Sequence, residues 1–391
     1  MNAMKVVIVG GGTMGLAAAW ALARTGRAVT LLERFEHVHA LGSHGGHTRI
    51  IRHAYHESSD YVSLVSRADA EWTALGARAG QELLVRCGLL EFGAPDHPDF
   101  QAAMGALVEH DIPHELLDAA EAGRRYPFVI PSGWGACLSP DSGYLRVRAC
   151  LDALRREAEA AGAQLRYGAR VRELILGTDA PGVLLEDGAV IRGDHLIVAA
   201  GARTAELFPG GLRGPGQVQL AVYRRVLAWA LRQTPALRDM PTWGAFVPEG
   251  FFYGFPDHGV GEAGAKLACH SSTDPAFAWL YEAHEDDADQ VDRRIHARDL
   301  EPLRAFVDRY LPSAAGGFAA TTTCLYTNTP SEDFWIDRHP EDERVTIASG
   351  FSGHGFKFAP AIGLMLADLA TRGRSELWLE RFSTARHLAR V

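Results

Sequence analysis

Gly10, Gly12 and Gly15 stand in GxGxxG spacing directly after the apolar run Lys5 to Val9 and directly before an Ala-rich stretch, Leu16 to Arg24. This feature constrains the chain most, because it fixes a strand, a tight turn and a helix in succession. Small residues let the turn close, let the backbone approach a pyrophosphate and let the helix pack on its strand. The positive end of the helix favours an anionic ligand. Gly26 stops the helix, and Ala28 to Glu33 reads as a second strand. Glu33, at its end, is placed to accept hydrogen bonds from an adenosine ribose. A dinucleotide is therefore expected. The turn itself does not separate FAD from NAD, because both present the same ADP half to it.

A chain of 391 residues exceeds one ordinary core, and two interleaved domains are the natural arrangement. With 39 basic against 48 acidic residues, its negative field disfavours nonspecific attachment to nucleic acid or anionic lipid. Any anionic substrate must be met by local cations. The apolar stretch Met14 to Ala23 is too short to span a bilayer, so no membrane span is expected. Only Met1 to Val9 precede the first glycine, so no secretory leader is expected. Cys87, Cys137, Cys150, Cys269 and Cys324 follow neither a disulfide frame nor a zinc spacing, and reduced thiols in a cytoplasm fit best.

Further along, Tyr61 to Ala79 has helical apolar spacing, and Gly88 to Phe92 begins a strand in different surroundings. After a helix from Arg146, strands follow at Gln164 to Tyr167, Val171 to Leu176, Val183 to Leu185, Val190 to Ile191 and His195 to Ala200. A segment rich in Trp, Phe, Tyr, Pro and Gly carries short strands at Phe251 to Phe255 and Ala265 to His270, then a helix at Leu300 to Tyr310. Thr346 to Thr371 returns to strand, glycine turn and helix. The fold class is thus α/β and α+β: a Rossmann-like nucleotide domain (1–84, 145–216 and 319–391) interleaved with a mixed-sheet substrate domain (85–144 and 217–318).

Three segments carry a more specific signal. They are Gly42-Ser43-His44-Gly45-Gly46-His47-Thr48-Arg49-Ile50-Ile51-Arg52-His53-Ala54-Tyr55, then Cys324-Leu325-Tyr326-Thr327 with Asp333-Phe334-Trp335-Ile336-Asp337, and Gly350-Phe351-Ser352-Gly353-His354-Gly355-Phe356-Lys357-Phe358. Together, and in this order, they closely resemble the monomeric sarcosine oxidase and N-methyltryptophan oxidase family. The resemblance implies FAD as cofactor, attached through a cysteine sulfur to the flavin 8α-methyl carbon, with Cys324 at the matching position. Read alone, Cys324 is a small core residue.

The same resemblance implies that Arg52 and Lys357 hold a substrate carboxylate, that Arg49 lies close to the flavin, and that Tyr253 and Tyr326 line the cavity. It gives Lys266 to the reaction of reduced flavin with oxygen and sets His270 against the substrate. Flavin contacts are implied at Arg34, Ser43, Thr48, Val171, Gly201, Gly353, Gly355 and Lys357, beside Gly10, Gly12, Gly15 and Glu33. Independently, a negatively charged protein that captures an amino acid needs a cationic pocket, and a guanidinium grips a carboxylate with two hydrogen bonds. In a helical turn Arg49 and Arg52 would share a face. Strand alternation turns Lys266, Ala268 and His270 to one side, with Leu267 and Cys269 on the other. Pro360 suits the first turn of a helix after Lys357.

The resemblance implies a monomeric oxidase that removes a hydride from a small secondary amino acid and passes electrons to O2. The amine must be neutral, so flavin reduction should rise with pH. Two departures stand out. His44-Gly45-Gly46-His47 replaces the His-His-Gly-Asp usual in the family, and Gly244 replaces a larger apolar residue, leaving room for a bulkier substrate. His44, His47, His53 and His56 could share a helix face as metal ligands, but no carboxylate or thiolate set completes such a site, and no metal is expected. A nicotinamide-dependent dehydrogenase would explain the first glycines yet not the Cys324 and Lys357 segments; a flavin-holding protein without turnover is the alternative from another class.

Overall fold

The computed structural model describes residues 3–55, 57–208, 218–272, 274–284 and 288–388. Lys5–Val9 lies inside a six-stranded sheet in the order Trp335–His339, Asp342–Ser349, His195–Val198, Lys5–Val9, Ala28–Leu32, Gln164–Arg166. All neighbours run parallel except Trp335–His339, which closes one edge antiparallel. A parallel sheet must be covered on both faces, and the first strand shows how. Val6 and Ile8 enter a core with the Thr13–Ala23, Val147–Ala160 and Ala359–Arg372 helices. Val7 and Val9 turn to a second core under the three-stranded sheet of residues 171–192. Every residue from Met14 to Ala23 is buried in the first helix. Among the described residues no helix is long and apolar enough to cross a membrane.

A nine-stranded sheet forms the second body. Its path runs Ala283–His284, Ala221–Ala230, Lys266–Ser271, Gly250–Phe255, Thr242–Val247, Leu89–Gly93, Gly135–Ser139, Glu115–Asp118, with Phe318–Asn328 also on Ala221–Ala230. One face packs on the Ala297–Tyr310 helix, where Phe306 stacks on Trp243 at 5.2 Å and on Phe252 at 4.5 Å. The buried Arg224 guanidinium grips Asp299 of that helix with two hydrogen bonds of 2.6 and 2.8 Å. The opposite face carries a row of aligned residues, Glu91, Gly244, Tyr253 and Ala268, one from each of four adjacent strands.

Segments from either side of residues 145–216 meet in this sheet, since Leu89–Gly93 pairs in parallel with Thr242–Val247. The expected crossing at 216/217 lies outside the described residues. The boundary expected at 318/319 falls at the start of a strand that pairs with Ala221–Ala230 from Phe318 to Asn328, so Cys324 comes from the larger sheet. One correction concerns Arg49 and Arg52. Thr48–Ile51 is a strand, paired antiparallel with Gly143–Arg146, and no helical turn brings the two arginines to one face. The β-branched Ile50 and Ile51 favour that extended form.

Candidate active site

The glycine turn opens onto a cavity of about 370 Å³. Gly10 has φ +100°, and a Cβ there would run into the Ala199 carbonyl, as one at Gly15 would run into the Gly10 carbonyl. Gly12 faces open space. Glu33, 6% exposed, accepts from the Gly11 N–H at 2.6 Å and the Phe35 N–H at 2.8 Å. Burial raises its pKa, opposed by those N–H groups and by Arg203. The Arg34 and Arg203 guanidiniums lie 4.9 and 4.8 Å from the Phe35 ring, and both pair with Asp289.

Ser43, Val171, Gly201, Gly353 and Gly355 line this cavity, as do Gly10, Gly12, Glu33 and Arg34. Gly15 and Thr48 do not. Gly15 sits behind the turn, while Thr48 is fully buried with an unpartnered hydroxyl. His44 Nε2 and Thr327 Oγ1 are buried without a hydrogen-bond partner and belong to residues that line the cavity. Burial lowers the His44 pKa to about 3, so its ring is neutral. A glycine cradle, a ribose-facing carboxylate and two orphaned polar atoms fit a dinucleotide such as FAD.

A smaller cavity of about 70 Å³ shares Arg49, Tyr326, Gly353 and Phe356 with the larger one. One wall is the nine-stranded sheet, contributing Leu89, Glu91, Gly244, Phe251, Tyr253, His270, Cys324 and Tyr326. The facing wall contributes three cations. Arg49, at the junction, donates to the Ser43 carbonyl at 2.8 Å and the Thr48 carbonyl at 2.9 Å. Arg52, 6% exposed, donates to Glu57, stands 3.8 Å from a Glu91 oxygen and lies 4.6 Å from the Tyr55 ring. Burial opposes its charge, but Glu57, Tyr55 and Glu91 outweigh burial and raise its pKa.

Lys357 donates to the Tyr55 hydroxyl at 3.0 Å and the His354 carbonyl at 2.9 Å. Burial, helped by Arg52, pulls its pKa down to about 7. Burial pushes Glu91 up to about 7 against the pull of Arg52. Its carboxylate has no hydrogen-bond partner among the described residues, and its only ion-pair neighbour there is Arg52. Lys357 precedes the Ala359–Arg372 helix, which has Pro360 in its first turn.

Tyr326 receives the edge of the junction. Gly353, with φ +79°, has no room for a Cβ because the Tyr326 ring occupies that space. The Tyr326 hydroxyl lies 3.2 Å from His270 Nδ1, and the buried Arg225 sits 4.8 Å from the Tyr326 ring. Cys324 is 1% exposed. Burial raises its thiol pKa, while Arg49, Arg225 and Lys266 oppose that rise. Alternation places Ala268 beside Cys324 and Tyr326, and Leu267 and Cys269 in the opposite core, as expected.

Lys266, 1% exposed, lies behind the cavity wall. Its ammonium donates to the Gly46 and Thr48 carbonyls at 2.7 and 2.8 Å and rests 3.8 Å from the Phe255 ring. The histidines do not converge: His44 faces the larger cavity, His47 meets Trp229 edge-on at 6.1 Å and His53 binds Asp69. His56 lies outside the described residues. No group of three or more metal-ligating side chains occurs among the described residues.

Glu57, Glu91, Tyr55, His354 and Arg225 were not singled out from sequence. For Glu91 a signal existed, a carboxylate inside the otherwise apolar Leu89-Leu90-Glu91-Phe92 run. Tyr55, His354 and Arg225 depend on contacts between distant segments.

A dinucleotide cleft meeting a cation-lined cavity at one junction defines a nucleotide-dependent oxidoreductase. Residues 5–369 match the FAD dependent oxidoreductase family, and the chain belongs to that family. It is 35% identical over 388 residues to monomeric sarcosine oxidase of Bacillus sp. strain B-0618, covering 97% of this chain and 95% of that protein. It is 31% identical over 386 residues to N-methyl-L-tryptophan oxidase of Yersinia pestis strain Pestoides F, covering 97% and 98%. Among solved structures, NikD, an amino acid oxidase essential for nikkomycin biosynthesis, superposes with TM-score 0.83 at 26% identity, covering 98% of each chain. FAD, not a nicotinamide nucleotide, is the family's cofactor.

Proposed function

We propose that the protein is a monomeric oxidase of small secondary amino acids, carrying FAD covalently on Cys324 and producing hydrogen peroxide. The observation that carries this reading is the junction itself. Arg49, Tyr326, Gly353 and Phe356 belong to both the dinucleotide cleft and the cation-lined cavity, and Cys324 stands beside them. Bound FAD supplies the redox chemistry, taking a hydride equivalent from the carbon next to the amine and passing electrons to O2.

The residues of the chain bind and orient. Gly10 and Gly12 with the following helix N-terminus receive the pyrophosphate, and Glu33 the ribose. Arg34, Ser43, Val171, Gly201, Gly353 and Gly355, which line the cleft, are assigned to the rest of the cofactor. Arg52 and Lys357 hold the substrate carboxylate, for which Arg52 must exchange its bond to Glu57. Tyr253, Tyr326 and His270 form the wall opposite those cations. Holding the reacting carbon in one orientation is the main catalytic contribution of this wall. Burial raises the Cys324 thiol pKa, and Arg49, Arg225 and Lys266 oppose that rise and so ease formation of the thiolate, the form that bonds to carbon. Lys266 is assigned to the oxygen half-reaction; its hydrogen bonds to the Gly46 and Thr48 carbonyls, next to Arg49 at the junction, support this.

Anaerobic mixing of the purified protein with sarcosine, N-methyltryptophan, proline and pipecolate tests the reading. At least one should bleach the flavin, and air should restore the colour with release of peroxide. Lys266→Met should slow the return of colour and leave bleaching comparatively intact. A flavin that no secondary amino acid bleaches would sink the reading, and equal loss of both steps in Lys266→Met would remove Lys266 from the oxygen half-reaction.

A further inference from the structure

Within the proposed substrate cavity one group is left without a task. Glu91 is 2% exposed, lines the cavity, and has no hydrogen-bond partner among the described residues. A buried carboxylate without a partner costs several kcal/mol in a folded protein unless something else compensates it. Its one ionic neighbour, Arg52, is 3.8 Å away and already bonded to Glu57. Once a substrate carboxylate joins Arg52 and Lys357, three carboxyl groups crowd two cations, and the imbalance at Glu91 grows.

The sheet register shows what could relieve it. Glu91, Gly244 and Tyr253 are aligned across three neighbouring strands and project to the same face. With strands about 4.8 Å apart, Glu91 lies roughly 10 Å from Tyr253 along this row. Beyond Tyr253 the row continues through Ala268 and Leu227 to Thr322, and Cys324 and Tyr326 follow on that last strand at steps of two residues, beside the same cavity. Gly244, in between, has no side chain, and even a Cβ there would come within 3.1 Å of the Phe251 ring and 3.5 Å of Glu91 Cγ. The space over Gly244 is thus taken by the Phe251 ring edge and the Glu91 stem rather than left open for a bulkier substrate, and Tyr253, Phe251, Gly244 and the Glu91 carboxylate together line the cavity that begins at the junction.

We propose that Glu91, which lines this cavity beside Gly244 and Phe251, selects secondary amino acids whose side chain carries a nitrogen hydrogen-bond donor, an amine or a ring N–H. This inference rests on the substrate reading above and names the substrate class of that cavity. An ammonium or N–H beside Glu91 supplies the hydrogen-bond partner that its carboxylate lacks, whereas an alkyl side chain leaves it with Arg52 alone, 3.8 Å away. Discrimination of this kind exceeds what shape alone provides, because the penalty falls on the protein's own polar group.

The test uses holoenzyme and unreactive carboxylates in pairs that differ only by exchange of a terminal methyl for ammonium: butanoate with 3-aminopropanoate, pentanoate with 4-aminobutanoate, hexanoate with 5-aminopentanoate. Dissociation constants are read from the change in the flavin spectrum at pH 8. In the wild type, the amino member of at least one pair should bind about tenfold tighter than its alkyl partner, the value of one charge-assisted hydrogen bond. Glu91→Val should abolish that ratio while holding or improving alkanoate binding, and the isosteric Glu91→Gln should retain part of it. Amino members that bind no better than their alkyl partners, or a ratio that survives Glu91→Val, would overturn the inference while leaving the carboxylate clamp intact. Failure of both series to bind would overturn the clamp, and this inference with it.

Discussion

Lys357 makes carboxylate binding depend on pH in a direction that can be worked out beforehand. In the free site burial and Arg52 hold its pKa at about 7 rather than the ordinary 10.5. A carboxylate placed beside it favours the ammonium form and raises the pKa in the complex, so binding takes up a proton. Affinity is then complete below pH 7 and falls as pH rises through that value. The steepest slope is about tenfold, or 1.4 kcal/mol, per pH unit, up to about a hundredfold between pH 7 and 9. Glu91, also near pH 7, adds a slope of the same sign, because it becomes anionic as pH rises.

Lys357→Met should weaken butanoate binding at pH 6 by about 1.5–3 kcal/mol, the range for a hydrogen bond to a charged group. At pH 9 variant and wild type should converge, and the slope that remains should vanish when Glu91→Gln is added. Spectral titration of the flavin between pH 6 and 9 measures all of this. A Lys357→Met variant with an unchanged slope, or one that loses flavin in parallel with butanoate, would refute the argument. Flavin reduction by a secondary amine should run the other way and rise with pH, since the reacting amine must be neutral.

Two further changes test the frame. Gly15→Ala puts a methyl group on the Gly10 carbonyl oxygen, and should lower stability by more than about 3 kcal/mol and abolish flavin retention, as thermal unfolding and the visible spectrum would show. Asp299→Ala leaves Arg224 buried without its partner and should cost about 3–5 kcal/mol in denaturant unfolding while flavin content per folded molecule is unchanged.

Much of the nucleotide side was legible in the sequence because its determinants are local. The glycine turn lies between a strand and a helix, and the Tyr61–Ala79 helix has the bounds its periodicity implies, closing on Gly80 in the left-handed region at φ +61°. The cavity was less legible because its geometry comes from pairings between distant segments. Arg49 lies in the Thr48–Ile51 strand, whose partner is Gly143–Arg146, and Arg52 follows directly after its end, where spacing alone suggested a helical turn. Lys266 is covered by carbonyls 220 and 218 residues away, which no local pattern reports. The charge of Glu91 within an apolar strand was visible, but the face it occupies is set by parallel pairing with Thr242–Val247.

The account stands on an isoalloxazine ring held at the junction of the two cavities, against Cys324. Proteolysis of the acid-denatured chain, followed by isolation of the yellow peptide, tests this most directly. The flavin should remain on a peptide containing Cys324 and be absent from every peptide of a Cys324→Ser variant. Flavin recovered wholly free from the wild type, or bound to a peptide without Cys324, would contradict it.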